Sequence, residues 1–415
     1  MANPLMLQGF GTSLTVHNRR LIVREGRFSP LSYTRKSDGK FREPKLLKFR
    51  PRQLNHDAVF VQGTSGWVSF EAIRWLVHHN APLIILDYDG SILSATMPPQ
   101  PARGDLRRSQ VEAYLDSEKR LAIVKSLIQA KLEHSTIVLE WLRETHDIEL
   151  EIRRFRKESS GLSNTRTVDD VRRVEARAAQ FFWDAFAKAV PLKLEFKSRS
   201  TRARHRQNNA SDPTNALLNY GYSFLQSYVR RAINTTGLDL SLGYLHEDKP
   251  ATTPLVFDFE EPFRFLVDLA VLEMVESKMF SWNDFYFTAE DYRLRVKPVL
   301  LDRYADLLRE QFNSGVIYEG KHLMWDAVMS RKFQEFARFL LGKTDQFELV
   351  TPQPALVRED ARAIRTRIRS LTSSEAKKLG IGKSTLHYLR SKANATNSFK
   401  VYSKVLAKLD DRAAA

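Results

Sequence analysis

The apolar residues of this 415-residue chain change their period once, and that change constrains the fold more than any other feature. Up to about residue 94 the dominant runs are short and β-branched: LTVHNRRLIVREG (14–26) and AVFVQG (58–63) read as strands, and APLIILDYDGSILS (81–94) reads as strand, Asp-Gly turn, strand. One helix interrupts them, VSFEAIRWLVHHN, in which Phe70, Ile73, Leu76 and Val77 recur at helical spacing and Ser69 supplies a starting cap. ATMPPQPAR (95–103), with three prolines and no periodicity, marks a linker. From 104 to 345 apolar residues such as Val111, Tyr114, Leu115 and Leu121, Val124, Leu127, Ile128 step at three and four, so the chain turns helical. The expected fold class is α+β. It comprises a small N-terminal β-rich domain (1–98), a large all-α domain (99–345) and a C-terminal unit (346–415) opening around TPQPALV.

Charge points to the partner. The formal net charge is +16, which makes a polyanion the default ligand. Nucleic acid is favoured over membrane, because the basic residues sit among ordinary helices and loops instead of on one amphipathic anchor. No run of about 18 apolar residues is present, and MANPLMLQGFGTSLTV lacks a secretory layout, so a cytoplasmic protein is expected. With no cysteine, thiolate metal sites, disulfides and cysteine nucleophiles are excluded, which leaves His, Asp and Glu for metal or acid–base work.

Two regions suit DNA. Two loops, 157–167 and 193–209, are expected within the helical domain; in the second, KLEFKSRSTRARHRQNN, the bases Arg202, Arg204 and Arg206 fit a phosphate-binding loop as well as a solvated one. Residues 346–415 hold 14 Lys and Arg against 6 Asp and Glu, half the chain's net charge. Within them Thr372 to Glu375 forms a capping-box pattern, and Ala376, Gly380, Ile381, Leu386 and Leu389 follow the spacing of a helix-turn-helix. Its second helix would present Lys383, Ser384, Thr385, His387, Tyr388 and Arg390 to a major groove; a plain helical hairpin is the alternative.

For chemistry, two segments stand out. Glu175 lies in line with Val171, Ala178 and Phe182, so its carboxylate faces inward, either as half of a structural ion pair or as a ligand. Twelve residues after His246, Asp258 and Glu261 stand three apart at the start of a helical pattern. An imidazole with two carboxylates suits Mn²⁺ or Mg²⁺ and phosphodiester chemistry; acids favoured by a helix N-terminus, beside a surface His, are the competing reading.

The order of these stretches resembles the CRISPR adaptation integrase family. The carrying segments are VSFEAIRWLVHHNAPLIILDYDG, LRRSQVEAY, EARAAQFFW, the NALLNYGY run from Asn215 to Tyr222, GLDLSLGYLH and DFEEPFR, spanning roughly residues 5 to 310. The resemblance implies a divalent-metal-dependent integrase and endonuclease. In such enzymes a DNA 3′-hydroxyl attacks a target phosphodiester while the metal polarises the phosphoryl group. It places the ligands on Glu175, His246 and Glu261, with Asp258 beside them as a further acidic ligand, and gives Asn215, Tyr222 and Arg264 roles in positioning DNA or the loops around the site. The basic tail departs from ordinary members and resembles the casposases, relatives that carry C-terminal DNA-binding extensions and act on mobile-element ends. Implied partners are double-stranded DNA, as element ends and target, and a second copy of the chain. Two ends joined to one target further imply a homodimer or tetramer on DNA. Spacer insertion with a small partner protein and a non-catalytic architectural role are the competing functions.

Overall fold

The computed structural model describes residues 4–26, 45–51, 54, 56–63, 65–87, 92–97, 103–199, 210, 212–246, 253–287 and 294–349, with 372, 374, 375 and 386. The chain divides into two compact units, residues 1–314 with 323–351, and residues 315–322 with 352–415.

The first unit opens with strands β1 (Leu5–Gln8), β2 (Thr12–His17), β3 (Arg20–Arg24), β4 (Leu46–Phe49), β5 (Val59–Gln62) and β6 (Gly66–Val68), then helix α1 (Phe70–His78) and strands β7 (Leu83–Leu86) and β8 (Ile92–Thr96). They build two four-stranded sheets, ordered β1-β5-β7-β8 and β4-β3-β2-β6. β5 and β7 run parallel, and the chain crosses between them through α1. The expected strand-turn-strand at 81–94 is the antiparallel pair β7–β8. Leu7, Leu14, Leu21, Val23 and Val59 are packed together with Ala72 and Leu76 of α1; each large aliphatic buried this way contributes about 1.5–3 kcal/mol. Ser69 caps α1 as expected, accepting from Ala72 N at 3.1 Å. Phe70, assigned above to the apolar face, is 77% exposed. The buried side of α1 is instead Ala72, Trp75 and Leu76.

The rest of the first unit is mainly helical: α2 (Gly104–Leu115), α3 (Ser117–Arg143), α4 (Glu149–Ser160), α5 (Val168–Ala189), α6 (Pro213–Thr236), α7 (Pro254–Glu260) and α8 (Arg264–Glu276). The short pair β9 (Phe285–Phe287) and β10 (Leu294–Val296) leads into α9 (Pro298–Phe312). After β11 (Gly315–Tyr318), which belongs to the second unit, and β12 (Lys321–Met324) comes α10 (Trp325–Leu340). Residues 157–167 are more ordered than the expected loop, since α4 runs to Ser160 and a 3-10 turn covers Gly161–Asn164. α5 is fixed at its start by a capping box between Thr167 and Asp170.

Helix α6 is the spine. Phe224 stacks on Phe60 of β5 at 5.8 Å, and Tyr228 donates to Asp57 at 3.0 Å. On another side Gly221 admits α8 and α9: a Cβ there would stand 2.4 Å from Val267 Cγ1 and only 2.2 Å from the Tyr304 hydroxyl. No larger residue fits at that crossing without displacing one of them.

In the second unit the Thr372 N–H donates to Glu375 Oε2 at 2.7 Å and the Glu375 N–H to Thr372 Oγ1 at 3.3 Å, the reciprocal bonds of a capping box. Leu386 is helical and buried. Lys383, Ser384, Thr385, His387, Tyr388 and Arg390 lie outside the described residues. No described helix is long and apolar enough to cross a membrane.

Candidate functional site

The candidate site lies where α3, α5 and the α7–α8 junction meet. Pro262 sets that junction. Lacking an N–H, it cannot donate back to the carbonyl of residue 258, so α7 ends at Glu260 and a 3-10 turn, Glu261–Phe263, bridges to α8. Asp258 and Glu261 therefore do not share the first turn of one helix, as their spacing suggested. Asp258 ends up near the close of α7 and Glu261 opens the turn.

Glu175, on the inward face of α5 beside buried Val171, Ala178 and Phe182, forms an ion pair with Lys131 of α3. Lys131 Nζ is also 2.7 Å from Glu261 Oε2. One ammonium thus joins two carboxylates that spacing alone had brought forward separately. Burial would strip the Lys131 proton, but the charges of Glu261 and Glu175 outweigh it and raise its pKa. Burial likewise pushes Glu261 up, yet Arg264 and Lys131 together hold its carboxyl at about 2. The contact from Lys131 to Glu261 is an ion pair without hydrogen-bond geometry, so the buried Oε2 accepts no hydrogen bond. Its sibling Oε1 faces Arg264 Nη1 at 3.1 Å.

His246 sits at the end of the irregular segment 237–246, and that segment is held from four sides. Gln110 of α2 donates to the carbonyls of Asp239 (2.8 Å) and Leu242 (3.3 Å) and accepts from Asp239 N (2.9 Å). Arg120 of α3 donates to the Tyr244 carbonyl at 3.0 Å, and Arg172 of α5 to that of Leu245 at 3.0 Å. From α7, Asp258 takes the rest: Oδ2 accepts Tyr244 N (2.5 Å) and Leu245 N (3.0 Å), while Oδ1 accepts His246 N (2.9 Å) and the ring Nδ1 (2.7 Å). Gly243 completes the fit, since a Cβ there would meet Pro254 Cβ at 2.6 Å.

Asp258 is fully buried and each of its oxygens already takes two donors of its own chain. As arranged it holds the loop and the imidazole, both of its oxygens engaged by donors of the chain. A carboxylate only accepts, so Nδ1 carries the proton and Nε2 is left with its lone pair. Burial would lower the His246 pKa, but the bond to Asp258 and its charge raise it.

Asn215 and Tyr222 are buried and bonded internally. Asn215 donates from its backbone (2.9 Å) and its side chain (2.7 Å) to Asp212, the cap of α6, and accepts from Arg199 at 3.3 Å; Tyr222 donates to Asp268 at 2.6 Å. The guanidinium of Arg264 lies 4.7 Å over the Tyr222 ring and is bonded to Glu260, so it is held beside Glu261. Lys131, Glu175, Tyr222, Glu261, Arg264 and Asp268 line one cavity. Burial pushes the Asp268 carboxyl up to about 7 against the Tyr222 bond and the nearby cations. Arg202, Arg204 and Arg206 lie outside the described residues.

Lys131, Gln110, Arg120 and Arg172 were not singled out from the sequence. A signal for Lys131 existed: it falls on the seam Val124, Leu127, Ile128, Ser135, Val138 of α3, a charge interrupting an apolar stripe as Glu175 does on α5.

Among the described residues no three His, Asp or Glu side chains stand close enough together to hold an ion as arranged. In chemical type the neighbouring donors suit a divalent ion. Two carboxylates already share a single cation, one buried oxygen accepts no hydrogen bond, and an oriented imidazole ends the adjoining loop.

Residues 5–300 match the family model described as CRISPR associated protein Cas1. The chain belongs to that family. A Cas1 endonuclease of Archaeoglobus fulgidus is 27% identical over 357 residues, covering 82% of this chain and 96% of the relative. Among solved structures, a casposase bound to integration product is 34% identical with a TM-score of 0.79, covering 89% of this chain and 99% of that one. A Cas1 protein from Thermotoga maritima, at 17% identity and TM-score 0.64, covers 85% and 99% and shares the fold. The chain is thus a casposase-like Cas1 homologue, as its order of motifs and basic tail implied.

Proposed function

We propose that this Cas1 homologue is a DNA integrase of the casposase type, joining 3′-hydroxyl ends of mobile-element DNA to target DNA by transesterification in the prokaryotic cytoplasm. The observation that carries the reading is the Lys131-bridged pair Glu175 and Glu261 beside the oriented His246, in a chain that a casposase matches over 89% of its length. Glu175, Glu261 and Nε2 of His246 would hold Mn²⁺ or Mg²⁺. When bound, such an ion polarises the phosphoryl oxygens and stabilises the departing one.

The protein's own groups do the rest. Arg264, fixed by Glu260 and Glu261, supplies a cation at the cavity wall against which a phosphodiester is oriented. Asp258 keeps the proton of His246 on Nδ1, so Nε2 stays a neutral donor. The basic tract at 193–209 and the helix-turn-helix pattern of the tail would bind the duplexes, the tail gripping the element ends. Joining two ends to one target needs paired active sites, so the acting form is a dimer or a tetramer on DNA.

The test mixes protein, Mn²⁺, a short duplex with free 3′-hydroxyls and a supercoiled plasmid. Joined products are expected from the wild type, none from His246→Ala, and loss of joining or of target choice after truncation following residue 345. Binding without joining, even with cognate ends, overturns the integrase. Full joining and unchanged target choice by the truncated protein overturn the casposase assignment.

A further inference from the structure

Lys131, in the cavity lining, pairs with both acids of the proposed ion site. Its side chain is only 15% exposed, its ammonium pairs with Glu175 and stands 2.7 Å from Glu261 Oε2, and Arg264 occupies the other Glu261 oxygen at 3.1 Å. With no ion present, the charges facing Glu175 and Glu261 are the Lys131 ammonium and the Arg264 guanidinium, and Arg264 is shared with Glu260. A divalent cation ligated at about 2 Å by the same carboxylate oxygens must stand close to where Nζ now lies. Ammonium and ion cannot share those oxygens, because both are positive and their repulsion is strong in a buried site.

We infer that Lys131 is an exchangeable counter-ion of the site: it occupies the ion's position in the metal-free protein, competes with the divalent cation for Glu175 and Glu261, and is displaced when the ion binds. The inference rests on the ion site proposed above. The four-carbon stem lets the ammonium swing without any movement of α3. An internal cation spares the metal-free fold two facing carboxylates, and it sets the ion's affinity lower than the ligands alone would give.

The test measures Mn²⁺ alone binding to the full chain, by paramagnetic resonance of free Mn²⁺ and by calorimetry, for wild type, Lys131→Met, Lys131→Arg and His246→Ala. Removing a positive charge at this distance is expected to tighten Mn²⁺ binding by about tenfold or more in Lys131→Met, while Lys131→Arg stays near wild type. In EDTA, Lys131→Met should melt below wild type, and Mn²⁺ should raise its melting temperature by more than it raises that of wild type. Should Lys131→Met fail to fold without metal, recovery of the fold on adding Mn²⁺ is the same result, and Lys131→Gln repeats the binding measurement. Equal or weaker Mn²⁺ binding by both neutral variants overturns the inference; if His246→Ala still abolishes binding, the ion site survives it. Absence of Mn²⁺ binding in wild type and in both neutral variants removes the ion site and the inference together.

Discussion

Replacing Asp258 by Asn separates a residue that holds His246 from one that ligates an ion. Each Asp258 oxygen accepts two hydrogen bonds, Oδ2 from the Tyr244 and Leu245 amides and Oδ1 from the His246 amide and ring. An Asn side chain keeps one oxygen and turns an NH₂ group toward the other two donors. Whichever way it flips, two donors next to a fully buried position lose their acceptor. At about 1–3 kcal/mol for each buried donor left unpaired, opening of segment 237–246 should become easier by roughly 2–6 kcal/mol. That is an acceleration of amide exchange by about thirty-fold to twenty-thousand-fold at one decade per 1.4 kcal/mol. The assay is hydrogen exchange by mass spectrometry on peptides covering 238–246, in EDTA, with α4 and α5 as internal reference. Loss of the ring's orienting partner should also weaken Mn²⁺ binding about 10–100-fold. Exchange within about threefold of wild type, with Mn²⁺ binding abolished, would refute the reasoning and restore Asp258 as a direct ligand.

Three further outcomes follow from the packing. Gly221→Ala should lose about 1–3 kcal/mol, read as a lower midpoint in urea, because its methyl group has only the space held by Tyr304 and Val267; an unchanged midpoint contradicts the close crossing. Asp268→Asn keeps an acceptor for Tyr222 and removes a carboxyl whose folded pKa of about 7 lies above its unfolded value. The folded state then binds the extra proton between about pH 4 and 7, so Asp268 makes wild-type stability fall as pH rises through that window; the variant should gain on wild type by pH 8, and parallel melting curves against pH would falsify this. Arg172→Ala removes the donor to the Leu245 carbonyl and should speed exchange in the same 238–246 peptides while leaving α10 at its wild-type rate.

How much of this was legible in the sequence depended on whether a signal was local. The period change separated the eight-strand N-terminal region from the mainly helical remainder but missed the short strand pairs β9–β10 and β11–β12 within the expected all-α region, and Ser69 and Thr372 gave their caps, because hydrophobic period and capping are properties of neighbouring residues. Glu175 faced inward for the same reason. The pairing of Glu175 with Lys131 joins residues 44 apart, and no periodicity reports which seam meets which. Asp258 and Glu261 looked alike at three-residue spacing, but Pro262 breaks the helix between their roles. Phe70 shows the opposite error: it satisfied the helical stripe, yet α1 buries Trp75 and Ala72 instead, so a period fixes a face only to within a residue or two. The clamps on segment 237–246 were invisible because side chains of α2, α3 and α5 bind its backbone, which carries no sequence signature.

The most direct measurement is the position of Mn²⁺ by anomalous scattering from crystals of the protein grown with the metal. The account predicts a single ion bound by the carboxylates of Glu175 and Glu261 and by Nε2 of His246, with Asp258 still on Nδ1 and the ammonium of Lys131 moved off both acids. An ion bound elsewhere, or one ligated by Asp258 with Lys131 still bridging Glu175 and Glu261, would contradict it.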